Sequence, residues 1–152
     1  MSVTFYPGKL GKKIINGVEF TIYHEQFPPD FDDKPTNDPE YGLIYPQNPW
    51  SLNLTNMNFV SVISILYPDV DLTSYCGKLE PVDLLEKIKM CLELIELAPS
   101  LDAVVEPTAF ADNGGMRMIG CGKRKGYLAE KLTQLKLIAE EAQKLGGLVI
   151  YN

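Results

Sequence analysis

Hydrophobic positions repeat by twos near the start of the chain and by threes and fours further on. Lys13-Ile14-Ile15 and Val18-Glu19-Phe20-Thr21-Ile22-Tyr23 flank the dipeptide Asn16-Gly17. That dipeptide supplies the positive φ angles of a type I′ turn, so the segment predicts a β-hairpin. Val18, Phe20 and Ile22 alternate with Glu19, Thr21 and Tyr23, which predicts one buried face on the second strand. Residues 3–6 form a short β-prone stretch ahead of it. At the other end, Leu148-Val149-Ile150-Tyr151 reads as a terminal strand that needs a sheet partner.

The longer period marks three helices. Phe59, Val62, Ile63 and Leu66 follow the i, i+3, i+4, i+7 stripe of a helix starting near Asn56 or Asn58 and ending before Pro68. The β-branched residues Val60, Val62, Ile63 and Ile65 leave a strand as the alternative. Asparagine ahead of the run favours the helix, because its side-chain oxygen can cap free N–H groups. A second helix begins at Pro81, suited to the first helical position, with Glu80 and Asp83 near the positive end of the dipole. Leu84, Leu85, Ile88, Cys91, Leu92 and Ile95 share one face, and Ala98-Pro99 ends it. A third helix spans about residues 127–145. Leu128, Leu132, Leu135, Ile138, Ala139, Ala142 and Leu145 form its stripe, and Gly146-Gly147 gives the left-handed exit.

Between these elements the pattern is less regular. Residues 28–42 hold Pro28, Pro29, Pro35 and Pro39 with Asp30, Asp32, Asp33, Asp38 and Glu40. Missing donors and solvated charges predict a loop without a regular element. Residues 101–106 read as a strand, Asn113-Gly114-Gly115 as a turn, and residues 116–121 as its partner strand. Strands at both ends with helices between predict an α+β fold. It is a small, mostly antiparallel sheet using both termini, packed with three helices, in one globular domain over residues 1–152.

Composition narrows the function classes. The chain has 152 residues, 45% hydrophobic and 22% charged, with net charge −6. An acidic chain without a long basic face argues against general nucleic-acid binding. Cys76, Cys91 and Cys121 are odd in number and widely spaced, which argues against a disulfide scaffold or a zinc site. The N-terminus lacks a signal-peptide pattern, and no apolar run reaches membrane-spanning length. The expectation is a cytoplasmic protein.

Two segments stand out chemically. Asn48-Pro-Trp-Ser-Leu-Asn-Leu-Thr-Asn-Met-Asn-Phe59 packs Asn48, Asn53, Asn56 and Asn58 around Trp50, the only tryptophan. Such a cluster either caps a helix and bonds loop backbone, or recognises a ligand's polar edge with Trp50 as a stacking wall. Gly120-Cys-Gly-Lys-Arg-Lys-Gly-Tyr127 is a basic glycine-rich loop before a helix, the arrangement that favours phosphate. Its cations are disfavoured by the helix dipole by up to about 1 kcal/mol each, a cost that a bound anion offsets. The alternative is a solvated loop. It matches neither the Walker nor the dinucleotide pattern. His24, the only histidine, ends a strand and suits a surface role. Cys91 suits the core, whereas Cys121 beside three cations is a candidate reactive thiol. The acids at 30, 32 and 33 lack the spacing of a calcium loop.

Leu52-Asn-Leu-Thr-Asn-Met-Asn58, together with Gly126-Tyr127-Leu128 and the helix and strand that follow it, resembles a set of small uncharacterised bacterial and phage-type proteins. They share an L-N-L-[ST]-N-x-N-A element and a C-terminal Gly-Tyr-Leu helix. Phe59 stands where those proteins carry alanine. The resemblance implies an accessory protein of a bacterium or its phage, and no enzyme, cofactor or catalytic residue.

No nucleophile motif, metal-ligand set or histidine pair fills an enzyme's usual roles, so the reading is non-enzymatic, without cofactor or metal. Only a carboxylate pair such as Glu106 and Asp112 would reopen it. Two functions compete. One is an accessory module that binds a protein partner using the aromatic loop residues Phe27, Phe31, Tyr41 and Tyr45, with a homo-oligomer also open. The other is a binder of a small anionic, nucleotide-like ligand. There Lys123 and Arg124 would hold phosphate, Asn53, Asn56 or Asn58 would read the polar edge, and Trp50 or Tyr127 would stack.

Overall fold

The computed structural model describes residues 2–28, 32, 34–44, 48–70, 74–102, 109–111, 117–119 and 125–152. In chain order the elements are β1 (Ser2–Ile15), β2 (Val18–Glu25), β3 (Thr36–Asp38), β4 (Gly42–Ile44), β5 (Leu52–Thr55), α1 (Asn56–Leu66), β6 (Gly77–Leu79), α2 (Pro81–Leu97), a 3₁₀ turn (Pro99–Asp102), β7 (Ala109–Ala111), β8 (Arg117–Ile119), α3 (Tyr127–Lys144) and β9 (Leu148–Tyr151). The fold is α+β, with an antiparallel five-stranded sheet in which both terminal strands are central neighbours.

β1 organises that sheet. It is fourteen residues long, far beyond the β-prone stretch at 3–6. Residues 2–5 pair with β5, residues 5–8 with β9, and residues 8–15 with β2. β6 lies on the far edge of β9. Pro7 is tolerated inside this strand for a local reason. Its carbonyl accepts from Gln26 N at 2.8 Å, so the position of its missing N–H faces the edge where β5 has ended and β2 begins. Gly8 is needed where the strands crowd, because a Cβ there would lie 2.6 Å from Ile150 Cγ1 and 2.8 Å from His24 O.

The three helices pack on one sheet face. Val3, Phe5, Leu52, Leu54, Val149 and Tyr151 meet the stripes of α1, α2 and α3 there. Phe59 lies inside, its ring centroid 5.7 Å from Phe5 and 5.4 Å from Tyr151. α1 is a helix and not a strand. Its cap is Thr55, whose side chain accepts from Asn58 N at 3.4 Å, so the expected asparagine cap is corrected. The hydroxyls of Ser61 and Ser64 donate to the carbonyls of Met57 and Val60, which satisfies polar groups within an otherwise apolar helix.

α2 and α3 follow their stripes. Leu84 and Ile88 are buried, and Leu85, Cys91, Leu92 and Ile95 are partly buried against them. At the end of α3, Gly147 N donates to Ala142 O at 2.8 Å and Gly146 N to Gln143 O at 3.1 Å. With Gly146 at φ +66° this is a Schellman closure, which turns the chain directly into β9.

Three expectations are corrected. Residues 36–38 and 42–44 form the hairpin β3–β4, whereas 28–42 reads as an unstructured loop. Its turn forms because Asp38 Oδ1 accepts from Glu40 N and Tyr41 N at 2.8 and 2.9 Å, and Gly42 takes φ +78°. Leu101 and Asp102 belong to a 3₁₀ turn and not to a strand, since Pro99 starts a tight turn in which Leu101 N reaches Ala98 O. The third concerns β2. Val18 and Phe20 are exposed and Ile22 is only half-buried, because β9 stops pairing with β1 at Gly8 and none of the described helices follows the ribbon further.

Candidate functional site

The asparagine cluster divides along its length. Asn48 Oδ1 accepts from Trp50 N at 2.9 Å and so closes a tight turn before β5. Asn53 sits on β5 and donates to Thr4 Oγ1 at 2.8 Å and Ser2 Oγ at 3.2 Å, a cross-strand tie to β1. Asn48 and Asn53 line an open groove of about 620 Å³ with Pro49, Ser51 and, from α3, Gln134 and Leu137. Asn56 faces a different depression beside Met57, Val60, Ser61 and Tyr75, and its buried Oδ1 accepts no hydrogen bond from the described residues. Asn58 is half-buried on the first turn of α1, and Trp50 is half-buried outside the described groove lining.

Lys123 and Arg124 lie outside the described residues, as do Cys121, Glu106 and Asp112, the loop acids Asp30 and Asp33, and Phe31 and Tyr45. Tyr127 is the first residue of α3, with the Lys131 ammonium 5.5 Å from its ring centroid. The helix end beside it is already served. Asp102, buried on the 3₁₀ turn, accepts from Leu128 N at 2.8 Å and Ala129 N at 3.1 Å. These are the free donors of a helix start, and a carboxylate from 26 residues away caps them. The described lining of the asparagine groove meets α3 at Gln134, about 10 Å along the axis from Tyr127.

The sheet carries the other candidate surface. Beyond Gly8, β1 pairs with β2 and with no other strand among the described residues, and the two strands project as a ribbon about 24 Å long. Opposed residues share a face, so Lys9/His24, Gly11/Ile22, Lys13/Phe20 and Ile15/Val18 line one side. By alternation this side continues the face on which Val3 and Phe5 enter the core. Ile15, Val18 and Phe20 are 46%, 55% and 46% exposed. Leu10 and Tyr23 oppose each other on the other side, where Lys12 and Glu19 form an ion pair at 2.8 Å. His24 is exposed on the ribbon, packed over Gly11. Of the aromatic loop residues, Tyr41 is exposed and Phe27 half-buried.

Burial raises the pKa of several groups and so holds back their ionisation. Tyr6, Tyr67 and Tyr151 all stand above the ordinary phenol value, chiefly because they are desolvated. Glu25 adds to the effect at Tyr6, and the bond from Tyr67 Oη to Asp83 Oδ2, 2.8 Å, adds to it at Tyr67. Burial likewise pushes the Cys91 thiol up, which suits a packing residue rather than a nucleophile. Among the described residues, no group of three or more His, Cys, Asp and Glu side chains could hold a metal, and no helix is long and apolar enough to cross a membrane.

Sequence reasoning missed the placement of Lys9, Lys13 and Ile15 on one ribbon face and the capping of α3 by Asp102. The Asn16-Gly17 turn fixes the ribbon's register, so counting back from it places Lys13 beside Phe20 and Ile15 beside Val18. Asp102 carries no comparable signal. The chain matches no protein-family model, no curated protein and no solved structure.

Proposed function

We propose that the chain is a non-enzymatic accessory protein of a bacterium or its phage, acting in the cytoplasm through protein–protein interaction, with the β1–β2 ribbon as the binding element. The observation that carries this is the exposed strip of Ile15, Val18 and Phe20 on a ribbon that nothing described covers. A two-stranded ribbon alone is marginal in water, so a partner that covers one face stabilises it. Each apolar side chain moved fully from water contributes about 1.5–3 kcal/mol. Among the described residues no strand pairs with either ribbon edge beyond Gly8, which suits strand addition.

Tagged wild-type protein and the double variant Ile15→Ser/Phe20→Ser are purified from the native host side by side. The expected result is a protein retained by the wild type and lost by the variant, with a binary complex reconstituted from the two purified components. No complex, either with a host protein or between two copies of the chain, or one that the variant forms equally well, removes the reading.

The groove lined by Asn48 and Asn53 favours a second reading, a small polar ligand of nucleotide-like, anionic character held also by Lys123 and Arg124. Its described lining carries amides but no charged side chain, so the phosphate end of such a ligand would depend on those two cations. Thermal stabilisation by a nucleotide panel, abolished in Lys123→Ala/Arg124→Ala, supports it, and no stabilisation removes it.

A further inference from the structure

We propose that the ribbon's partner is a second copy of this chain, each ribbon lying in the groove between α2 and α3 of the other copy. This rests on the reading of the ribbon as a protein-binding element and names what it binds. The ribbon face is apolar and basic together. Ile15, Val18 and Phe20 run along it with Lys13 beside Phe20 and Lys9 nearer the body. The groove is apolar and acidic together. Leu85 and Leu92 are partly buried against the core and line it, with Glu86, Glu93, Glu96 and Glu140 around them.

Charge and length both fit. Lys89 and Lys136 also line the groove, so four carboxylates stand against two ammoniums, and Lys136 lies 3.7 Å from Glu140. Glu93 and Glu96 are exposed carboxylates of this lining towards the end of α2, where incoming cations can meet them. The groove has a volume of about 370 Å³. From Leu85 to Glu96 it runs about 16 Å along α2, and the ribbon face from Lys9 to Ile15 runs about 20 Å. One ribbon is small against the roughly 1,200–2,000 Å² that stable interfaces bury, and a twofold exchange uses two identical contacts.

The proposal makes a distinctive prediction for charge reversal. Lys9→Glu/Lys13→Glu puts glutamates on both ribbon and groove, and Glu93→Lys/Glu96→Lys puts lysines on both. All four positions are exposed, and circular dichroism checks that each variant folds. In sedimentation equilibrium the wild type is expected to dimerise, and each double variant alone to dimerise at least about tenfold more weakly, since like charges then face each other. An equimolar mixture of the two variants is expected to recover a heterodimer, because both of its contacts are complementary again. A wild type that stays monomeric across the concentration series overturns the proposal. So does a dimer that either variant forms unimpaired, or a mixture that recovers nothing. A monomeric wild type whose ribbon still captures a host protein, sensitive to Ile15→Ser/Phe20→Ser, would overturn only the identity of the partner and leave the binding element standing.

Discussion

Asp102 shows how a single side chain ties distant segments together. Its carboxylate accepts from Leu128 N and Ala129 N, so it fixes the start of α3 to the end of α2. Asp102→Ala leaves both donors without that acceptor and is expected to lower stability by about 1–3 kcal/mol, read as a lower urea midpoint at unchanged slope. Phe59 is almost wholly buried among Phe5, Tyr75 and Tyr151. Phe59→Ala opens a cavity at the meeting point of sheet and helix and is expected to cost about 3–5 kcal/mol. The buried phenols give a pH dependence at the same scale. Tyr6, Tyr67 and Tyr151 are raised above 10.0, the ordinary phenol value. The unfolded chain therefore ionises these groups first. The stability these three groups contribute is whole below about pH 10 and is lost as pH rises from there through the folded-state values. Chemical denaturation across that range, with phenolate absorbance followed in parallel, checks both the sign and the late ionisation.

Elements differ in how much of their conformation is local. α3 carries its stripe, its exit glycine and its following strand in one continuous segment. Gly146→Ala forces a Cβ into φ +66° at the Schellman closure and is expected to cost about 1–2 kcal/mol, measured by thermal unfolding, while Gly→Asn at the same place costs less. The β1–β2 ribbon has the opposite character beyond Gly8. Its turn and register are local, with Asn16 at φ +51° and Gly17 at φ +78°, but its sides lack the cover that a sheet interior has. Phe20→Ser in the isolated chain is accordingly expected to change stability by less than about 1 kcal/mol, whereas the same change inside the core would cost several. A large loss of stability on Phe20→Ser would show that the ribbon face is already covered within one molecule.

At the scale of the molecule, β1 joins two different jobs. Its first half is core, paired on both edges by β5 and β9, and its second half is the ribbon. Core stability and partner binding are therefore separable by position along one strand. Val3→Ala is expected to lower the melting temperature, while Ile15→Ser/Phe20→Ser removes binding with the melting temperature of the monomer nearly unchanged. The acidic net charge opposes association of two copies in general, so a contact that places lysines against glutamates offsets that repulsion locally.

The elements whose information is local were legible in the sequence. The α2 stripe with Pro81 at its first position, the α3 stripe with its glycine exit, the Asn16-Gly17 turn and the terminal strand all rest on periodicity or on φ preference, which act between residues close in the chain. The alternation of Val18, Phe20 and Ile22 was equally plain, yet it fixes only that these residues share a side. Whether that side is covered depends on where β9 stops and where the helices lie, which is a matter of other segments. The same limit applies at the asparagine cluster. Residue type showed that the amides need partners, but only the register of β5 on β1 gave Asn53 to Ser2 and Thr4, and only the path of α3 separated the groove at Asn48 from the helix start that Asp102 caps. Local pattern determines conformation because its energies come from neighbouring backbone; burial and partnership are decided by the tertiary structure because they come from surfaces that the chain brings together from far apart.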